Sequence, residues 1–255
     1  MLTLFCLPCA GASAAMYQPW RAALPASVRM QPLELPGRGR RMREPQHEDF
    51  GCLADLLTRE LAAQVRGAYA IFGHSMGGLL AHGIVQRLCA QRPTFPLPVA
   101  LLISACAAPS VRQWSRPDES DAALIASLRR QGGTPSEVFS SPELLEMILP
   151  VLRADYRVCR SFRCDDPSPV DVPIHVFGGL DDAIPAASLQ GWRGESSAEV
   201  TLDWFEGGHF YLQAQQAALM ATIATYLNRY PGRYSSDEQG RVLPESSVDE
   251  ATVLS

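Results

Sequence analysis

The chain has 255 residues, of which 47% are apolar and 19% are charged, and its formal net charge is −5. This length predicts one large domain, and the apolar content excludes global disorder. The negative charge argues against binding to nucleic acid or to an anionic membrane, and no apolar run approaches the roughly 20 residues that span a bilayer. All 22 basic residues are arginines, which excludes Schiff-base and P-loop lysine chemistry.

The first predicted element is a buried strand over Leu2–Leu7, which ends in a glycine-bearing turn. A signal peptide is the alternative for this apolar start. No basic segment precedes it, however, and Pro8 and Gly11 interrupt it early.

The seven cysteines do not repeat at a fixed spacing. Cys6-Leu-Pro-Cys9 fits CxxC, a pattern of zinc sites and of thioredoxin-like redox sites. Neither context is present, since Cys159 and Cys164 have no histidine beside them and nothing else resembles thioredoxin. We therefore expect free thiols, no metal site and a cytoplasmic location.

Strands and helices alternate along the chain with short turns between them. The predicted strands are Leu2–Leu7, Val28–Leu33, Tyr69–Phe72, Val99–Ser104, Ile174–Phe177 and Val200–Phe205. The predicted helices are Phe50–Val65, Leu79–Ala90 and about Tyr211–Asn228. Because parallel strands joined by helices need right-handed crossovers, the alternation predicts an α/β fold with an open, mostly parallel, doubly wound sheet.

Residues from about 110 to 165 carry two helix signals with no strand between them. One runs over Asp118–Gln131 and stops at a glycine pair, and the other begins at a Ser-Pro cap and runs over about Ser141–Phe162. Such an insertion within an α/β pattern is typical of a lid. We expect one domain over residues 1–230 with this lid insertion, followed by a polar, flexible tail over 231–255.

Gly73-His-Ser-Met-Gly77 fits G-x-S-x-G and lies between a short apolar strand and an apolar helix. That context is what a nucleophile elbow requires. The turn is so tight that Cβ atoms two residues before and after the serine would clash, which explains both glycines. The helix N-terminus also favours a developing negative charge, so Ser75 is the predicted nucleophile.

A serine hydroxyl needs a general base, and the chain has five histidines. His209 follows a predicted strand in a glycine-rich loop, at the edge of the sheet where catalytic residues gather. The other four are expected to lie in the core or in a polar loop: His47, His74, His82 and His175. His209 is therefore the predicted base.

The base in turn needs a carboxylate that fixes its tautomer, an effect on the order of 10⁴ in rate. Phe177-Gly-Gly-Leu-Asp-Asp182 ends the preceding strand and supplies two candidates. The chain order serine, aspartate, histidine is that of the α/β-hydrolases. Spacing alone does not separate Asp181 from Asp182.

With these residues placed, the sequence resembles the type II thioesterases that accompany non-ribosomal peptide and polyketide synthases, a branch of the α/β-hydrolase superfamily. The matching segments are Leu7-Pro-Cys-Ala-Gly11, Glu34-Leu-Pro-Gly-Arg-Gly39, Phe72-Gly-His-Ser-Met-Gly-Gly78, Ser104-Ala105, Leu152-Arg-Ala-Asp-Tyr156, Phe177-Gly-Gly-Leu-Asp-Asp182 and Gly207-Gly-His-Phe210. The sequence departs from the family pattern at Ala12, where a second glycine is common, and in a longer tail.

The resemblance implies an α/β-hydrolase fold and an editing hydrolase. Such an enzyme removes acyl groups from the phosphopantetheine thiol of acyl- or peptidyl-carrier domains and so regenerates stalled synthases. The family pattern places the acid at Asp182 and the oxyanion donors at the backbone N–H groups of Met76 and Ala10. It implies no metal or cofactor, and we expect a monomer.

Two alternatives share the same acyl-serine chemistry. A carboxylesterase or small lipase has the same triad, and only the family segments favour thioesters over oxygen esters. An acyltransferase would use an acceptor in place of water. A non-catalytic binding protein of this fold is disfavoured, because every triad member is present.

Four arginines lie within a short loop of this acidic chain: Arg38, Arg40, Arg41 and Arg43. In one interpretation they are solvated and pair with the local acids Glu34, Glu44 and Glu48. In the other, part of the loop attracts an acidic carrier domain or the pantetheine phosphate, for which arginine offers bidentate geometry.

Overall fold

The computed structural model describes residues 1–91, 95–112, 119–164 and 168–230. The predicted tail over 231–255, and the predicted helix start at Asp118, lie outside this part of the chain. None of the helices in these four ranges is both long and apolar enough to cross a membrane.

Six strands form one sheet: β1 (Leu2–Leu7), β2 (Val28–Pro32), β3 (Tyr69–His74), β4 (Leu101–Ser104), β5 (Ile174–Gly179) and β6 (Val200–Phe205). Their order across the sheet is β2-β1-β3-β4-β5-β6, and every neighbouring pair is parallel. The four inner strands are buried along their whole length, as expected for strands covered on both faces. The predicted α/β class with a parallel, doubly wound sheet is confirmed.

The α-helices are α1 (Phe50–Gln64), α2 (Met76–Ala90), α3 (Asp121–Gln131), α4 (Pro142–Ser161), α5 (Ala186–Gln190), α6 (Tyr211–Ala214) and α7 (Gln216–Leu227). Short 3₁₀ helices cover Ala14–Ala22, Gly39–Arg41, Pro109–Val111, Ser136–Ser140 and Gly191–Gly194. Alternate residues of the strands enter two different hydrophobic clusters, as Phe5 and Cys6 of β1 do. Because side chains alternate across a strand, these clusters are the cores on the two faces of the sheet.

The chain reverses its direction of winding between β1 and β3. From β1 it passes to β2 on one side, and it then returns to place β3 on the other side. In open α/β sheets, ligands bind outside the carboxyl ends of the strands at such a reversal. Since Leu7 pairs with Gly73, the loop after β1 runs beside the turn after β3.

The inserted helices differ in how firmly they join the main core. Four leucines of α3 and α4 form a small separate cluster: Leu124, Leu128, Leu149 and Leu152. The end of α4 instead packs into the large core, where the Phe162 ring meets the Phe50 ring at 4.8 Å between centroids. Pro150 lies within α4, and Leu152 beyond it still belongs to the small cluster, whereas Val158 belongs to the large core. The C-terminal end of α4 is therefore part of the main body of the domain.

Candidate active site

The turn that carries Ser75 is strained. Ser75 has φ of 55° and ψ of −116°, a conformation that non-glycine residues rarely adopt. A Cβ on Gly73 would lie 2.1 Å from the carbonyl oxygen of Gly77, and a Cβ on Gly77 would lie 2.2 Å from that of Leu7. The Ser75 N–H donates to the carbonyl of Ser104 at 2.8 Å and so ties the turn to β4. The local geometry is that of a nucleophile elbow.

Asp182 and His209 lie close together at the carboxyl edge of the sheet. They follow β5 and β6, which are adjacent and parallel, so the loops after these strands are neighbours. His209 Nδ1 lies 2.9 Å from Asp182 Oδ2, and the two side chains are 11% and 3% exposed. The Asp182 Oδ1 also accepts from the N–H of Ile184 at 3.2 Å. With the proton of His209 on Nδ1 facing the carboxylate, Nε2 is left as the basic nitrogen. Asp181 is exposed, and its N–H donates to the carbonyl of Gly207 at 3.0 Å.

Ser75, Asp182 and His209 line one cleft of about 670 Å³. Its wall also includes Arg112 and Arg130 from the inserted region, which sequence reasoning did not single out. No motif in the sequence distinguishes Arg112 or Arg130, since both belong to ordinary polar segments. A neighbouring hollow of about 780 Å³ shares Arg112 with the cleft, but the described residues of its wall include no histidine. The candidate active site is therefore the cleft of about 670 Å³ that contains Ser75, Asp182 and His209.

The two predicted oxyanion donors lie at the reversal point of the sheet. Met76 is the first residue of α2, and the first N–H groups of a helix lack an acceptor within it. Ala10 lies in the loop after β1, which runs beside the elbow. These positions in the fold are consistent with the predicted role of both N–H groups as oxyanion donors. The role itself remains a prediction.

The other core histidines are held neutral. His74 is fully buried with Nδ1 2.9 Å from the hydroxyl of Ser104, and burial, followed by the charge of His209, holds its pKa well below the usual value. Burial lowers the pKa of His82 to about 4, and burial with a smaller effect of a nearby arginine does the same for His175. These three side chains are buried in the core, whereas His209 lines the same cleft as Ser75.

None of the seven cysteines forms a disulfide bond. Cys6 and Cys9 of the CxxC segment are buried, and burial raises the pKa of Cys9 to about 12 and that of Cys6 further. Such groups are thiols rather than thiolates at neutral pH. Across the described ranges no cluster of histidine, cysteine or acidic residues could hold a metal ion.

The structure corrects the prediction that Arg38 faces a partner, because this side chain is only 6% exposed and pairs with the buried Asp155. Arg41 is partly buried and pairs with Glu44 at 2.6 Å and with Glu60 at 2.9 Å. Arg40 and Arg43 are exposed. The loop therefore divides into two structural arginines and two that face solvent.

The fold and this cleft define an α/β-hydrolase. The family model for the thioesterase domain matches residues 2–227, so the chain belongs to the thioesterase family. It is a thioester hydrolase, and the predicted resemblance to type II thioesterases is confirmed by its relatives.

Three similar proteins illustrate the relationship. Linear gramicidin dehydrogenase LgrE of Brevibacillus parabrevis is 32% identical over 236 residues, which cover 89% of this chain and 88% of the relative. The type II thioesterase BorB from the borrelidin biosynthetic cluster is 37% identical, with a TM-score of 0.80 over 89% of this chain and 92% of its own. ClbQ from the colibactin NRPS/PKS pathway is 28% identical, with a TM-score of 0.83 over 89% of this chain and 97% of its own.

Proposed function

We propose that this thioesterase removes acyl groups from the phosphopantetheine thiol of acyl- or peptidyl-carrier domains and so regenerates stalled non-ribosomal peptide or polyketide synthases. The observation that carries the proposal is the 2.9 Å contact between His209 Nδ1 and Asp182 Oδ2 in the cleft that Ser75 lines. The names of BorB and ClbQ, which refer to such pathways, support the choice of substrate.

In the first half-reaction, Ser75 Oγ attacks the thioester carbonyl carbon while His209 Nε2 takes the hydroxyl proton. The charge that develops on the carbonyl oxygen receives hydrogen bonds from the N–H groups of Met76 and Ala10, each worth roughly 10²–10³ in rate. The C–S bond then breaks, and the pantetheine sulfur leaves with the proton from His209. Asp182 stabilises the imidazolium throughout.

In the second half-reaction, His209 takes a proton from water, and the resulting hydroxide equivalent attacks the acyl-Ser75 carbonyl. The same two N–H groups stabilise the second oxyanion. Collapse of this intermediate returns the proton to Ser75 Oγ and releases a carboxylic acid. These steps use side chains, backbone and water alone, so the proposed reaction needs no cofactor.

We place this reaction in the reducing cytoplasm and assign it to a monomer. Seven cysteines without a disulfide bond, several of them buried, suit a compartment that keeps thiols reduced. The cleft draws all of its proposed catalytic groups from one chain, so the reaction as written needs no second copy.

The proposed lid consists of α3 and the first half of α4, up to Pro150. Ser127 and Arg130 of α3 line the cleft, and the apolar side chains beneath them form a cluster separate from the main core. Lid motions occur on μs–ms timescales. We expect amide hydrogen exchange over residues 121–149 to be faster than in β3 and β4, as measured by mass spectrometry. Equal protection in both regions would contradict a mobile lid.

The exposed arginines Arg40 and Arg43 are the proposed contacts for an acidic carrier domain. Surface charges act mainly on encounter rate and are screened by salt. Arg40→Glu with Arg43→Glu is expected to raise KM for an acyl-carrier substrate, more at low salt than at high salt. Hydrolysis of an acyl-pantetheine without phosphate is expected to stay nearly unchanged.

The matched control for that pair is Arg21→Glu with Arg66→Glu, which makes the same charge change at exposed arginines elsewhere. We expect this control to have a much smaller effect on KM. If both substrates suffer equally from the Arg40 and Arg43 changes, the loop shapes the active site and the docking proposal fails.

A substrate panel tests the function as a whole. Acyl-carrier, acyl-pantetheine and nitrophenyl ester substrates are compared by kcat/KM, with Ser75→Ala as the control. Highest kcat/KM for the acyl-carrier substrate supports editing. Preference for the oxygen ester would favour a carboxylesterase, and turnover only with an added acceptor would favour an acyltransferase.

The name of LgrE raises dehydrogenase activity as a further possibility. A nicotinamide-dependent dehydrogenase of the doubly wound type carries a G-x-G-x-x-G turn after its first strand. In this chain the corresponding turn is Leu7-Pro-Cys-Ala-Gly11, and the motif occurs nowhere in the sequence. Hydrolysis therefore remains the proposed activity.

A further inference from the structure

A buried ion pair lies beside the loop that carries Ala10, and the hydrolytic steps do not use it. Asp155 of α4 is fully buried, and the Arg38 side chain is 6% exposed. Arg38 Nη2 donates to Asp155 Oδ1 at 2.7 Å, while Nη1 donates to Oδ2. The pair is bidentate, which is the strongest and most direction-specific form of an arginine–carboxylate contact.

The same two side chains bind the backbone of the loop. The N–H of Gly11 donates to Asp155 Oδ2 at 2.7 Å, and Arg38 Nη1 donates to the carbonyl of Ala12 at 3.4 Å. The loop is therefore anchored on the carboxyl side of Ala10 by the ion pair, while β1 anchors it on the other side.

Gly11 is the residue of this loop whose backbone conformation most needs to be fixed by a contact. Its φ is 76°, and a Cβ there would come within 3.2 Å of Leu152 Cδ1 on α4. Glycine has access to many other backbone conformations. The hydrogen bond to Asp155 selects one of them and so fixes the path of the chain past Ala10.

Three segments that carry the family resemblance but no triad residue meet at this point. They are Leu7–Gly11, Glu34–Gly39 and Leu152–Tyr156. Glu34 takes part as well, since its Oε1 accepts from the N–H of Ala14 at 2.9 Å. Stability alone does not account for the pair, because apolar replacements of a buried ion pair are often as stable or more so.

We propose that Asp155 and Arg38 are positioning residues of the oxyanion hole, which hold the loop so that the Ala10 N–H points at the oxygen of the tetrahedral intermediate. This inference rests on the role proposed above for Ala10. It assigns the ion pair to stabilisation of the transition state, an effect on kcat, rather than to substrate binding.

The test separates positioning from stability with the double variant Arg38→Met/Asp155→Leu. It removes both buried charges together and leaves the Gly11 N–H without its acceptor. We expect a melting temperature close to that of the wild type, KM within a small factor, and a kcat lower by about tenfold to a hundredfold, as expected for a misplaced donor.

A second readout reports on the oxyanion hole directly. A boronic acid or trifluoromethyl ketone analogue forms a tetrahedral adduct on Ser75 with an oxygen in the hole. Its affinity is expected to fall by the same factor as kcat/KM. The matched control is Arg229→Gln, whose ion pair with Glu199 lies at the surface outside the proposed lid; kcat and adduct affinity are expected to stay at wild-type values.

Wild-type kcat and wild-type adduct affinity in the folded double variant would overturn the proposal. If that variant does not fold, Arg38→Gln/Asp155→Leu takes its place, since it also leaves the Gly11 N–H without its acceptor, while the glutamine keeps a donor for the carbonyl of Ala12. Its kcat is measured per active site, well below its own melting temperature, and a wild-type value would again overturn the proposal.

Failure of this inference is distinguishable from failure of the proposed function. The assays use any ester or thioester that the wild type hydrolyses through Ser75, so a preference for substrates other than carrier domains leaves the test intact. If Ser75→Ala retained activity, the proposed mechanism itself would fail.

Discussion

Replacing Ser75 with alanine is expected to lower kcat by about 10⁶-fold, as loss of a nucleophile does in a serine hydrolase. The substitution removes only Oγ, the atom that attacks the carbonyl. Ser75 is partly exposed at the cleft, and the substitution keeps the hydrogen bond from its backbone N–H to Ser104, so the melting temperature is expected to change little. The measurement pairs kcat for a thioester with thermal unfolding of the same sample.

His209→Ala provides the companion variant, since it removes the base and leaves the nucleophile in place. Residues that act as a unit are not additive, so the double variant Ser75→Ala/His209→Ala is expected to be no worse than either single change. Substantial turnover by folded His209→Ala would remove the proposed base, and an additive double variant would show that the two groups act in separate steps.

The strands could be predicted closely because short strands bounded by turn residues have a simple signature. β1 was predicted over Leu2–Leu7 and β6 over Val200–Phe205, and both have these bounds in the structure. Each is a short run flanked by turn residues. The β3 strand extends two residues further than predicted, through His74. The sequence alone indicates a turn from Gly73 onward, because this segment is rich in glycine, but strand pairing continues into the elbow.

The elements that sequence reasoning missed lack such a signature. The 3₁₀ helix over Ala14–Ala22 contains Pro19, and it is held by tertiary contacts such as the Trp20 ring against the Phe72 ring at 5.0 Å. The predicted final helix is divided at Gln215 into α6 and α7. The apolar residues over Tyr211–Asn228 do not reveal this interruption, because buried apolar residues lie on both sides of it.

The residues of the candidate site also differ in this respect, since some are defined by a local sequence motif and others by contacts between distant segments. Ser75 could be predicted because the elbow is a local motif of glycines around one turn. Asp182 could not be separated from Asp181 by spacing, since that choice depends on the direction of two side chains relative to His209. The burial of Arg38 was invisible in the sequence because its partner Asp155 lies 117 residues away.

Replacing Asp182 with asparagine is expected to lower kcat by about 10⁴-fold with little change in KM or in melting temperature. The reason lies in the two hydrogen bonds of this carboxylate. Oδ1 accepts from the Ile184 N–H at 3.2 Å, and Oδ2 faces His209 Nδ1 at 2.9 Å. An asparagine that keeps its carbonyl oxygen on Ile184 turns its NH₂ group toward His209. That group donates to Nδ1, so the imidazole proton moves to Nε2 and the base is lost.

The neighbouring Asp181→Asn is the matched control for this prediction, because it makes the same change one residue earlier. Asp181 is exposed, and its backbone N–H donates to the carbonyl of Gly207, a bond that the substitution keeps. We therefore expect only a small loss of kcat from Asp181→Asn, measured with the same thioester and at the same pH. If the two effects were reversed, Asp181 would be the acid of the triad, and the carboxylate that contacts His209 in the structure would have a structural role instead.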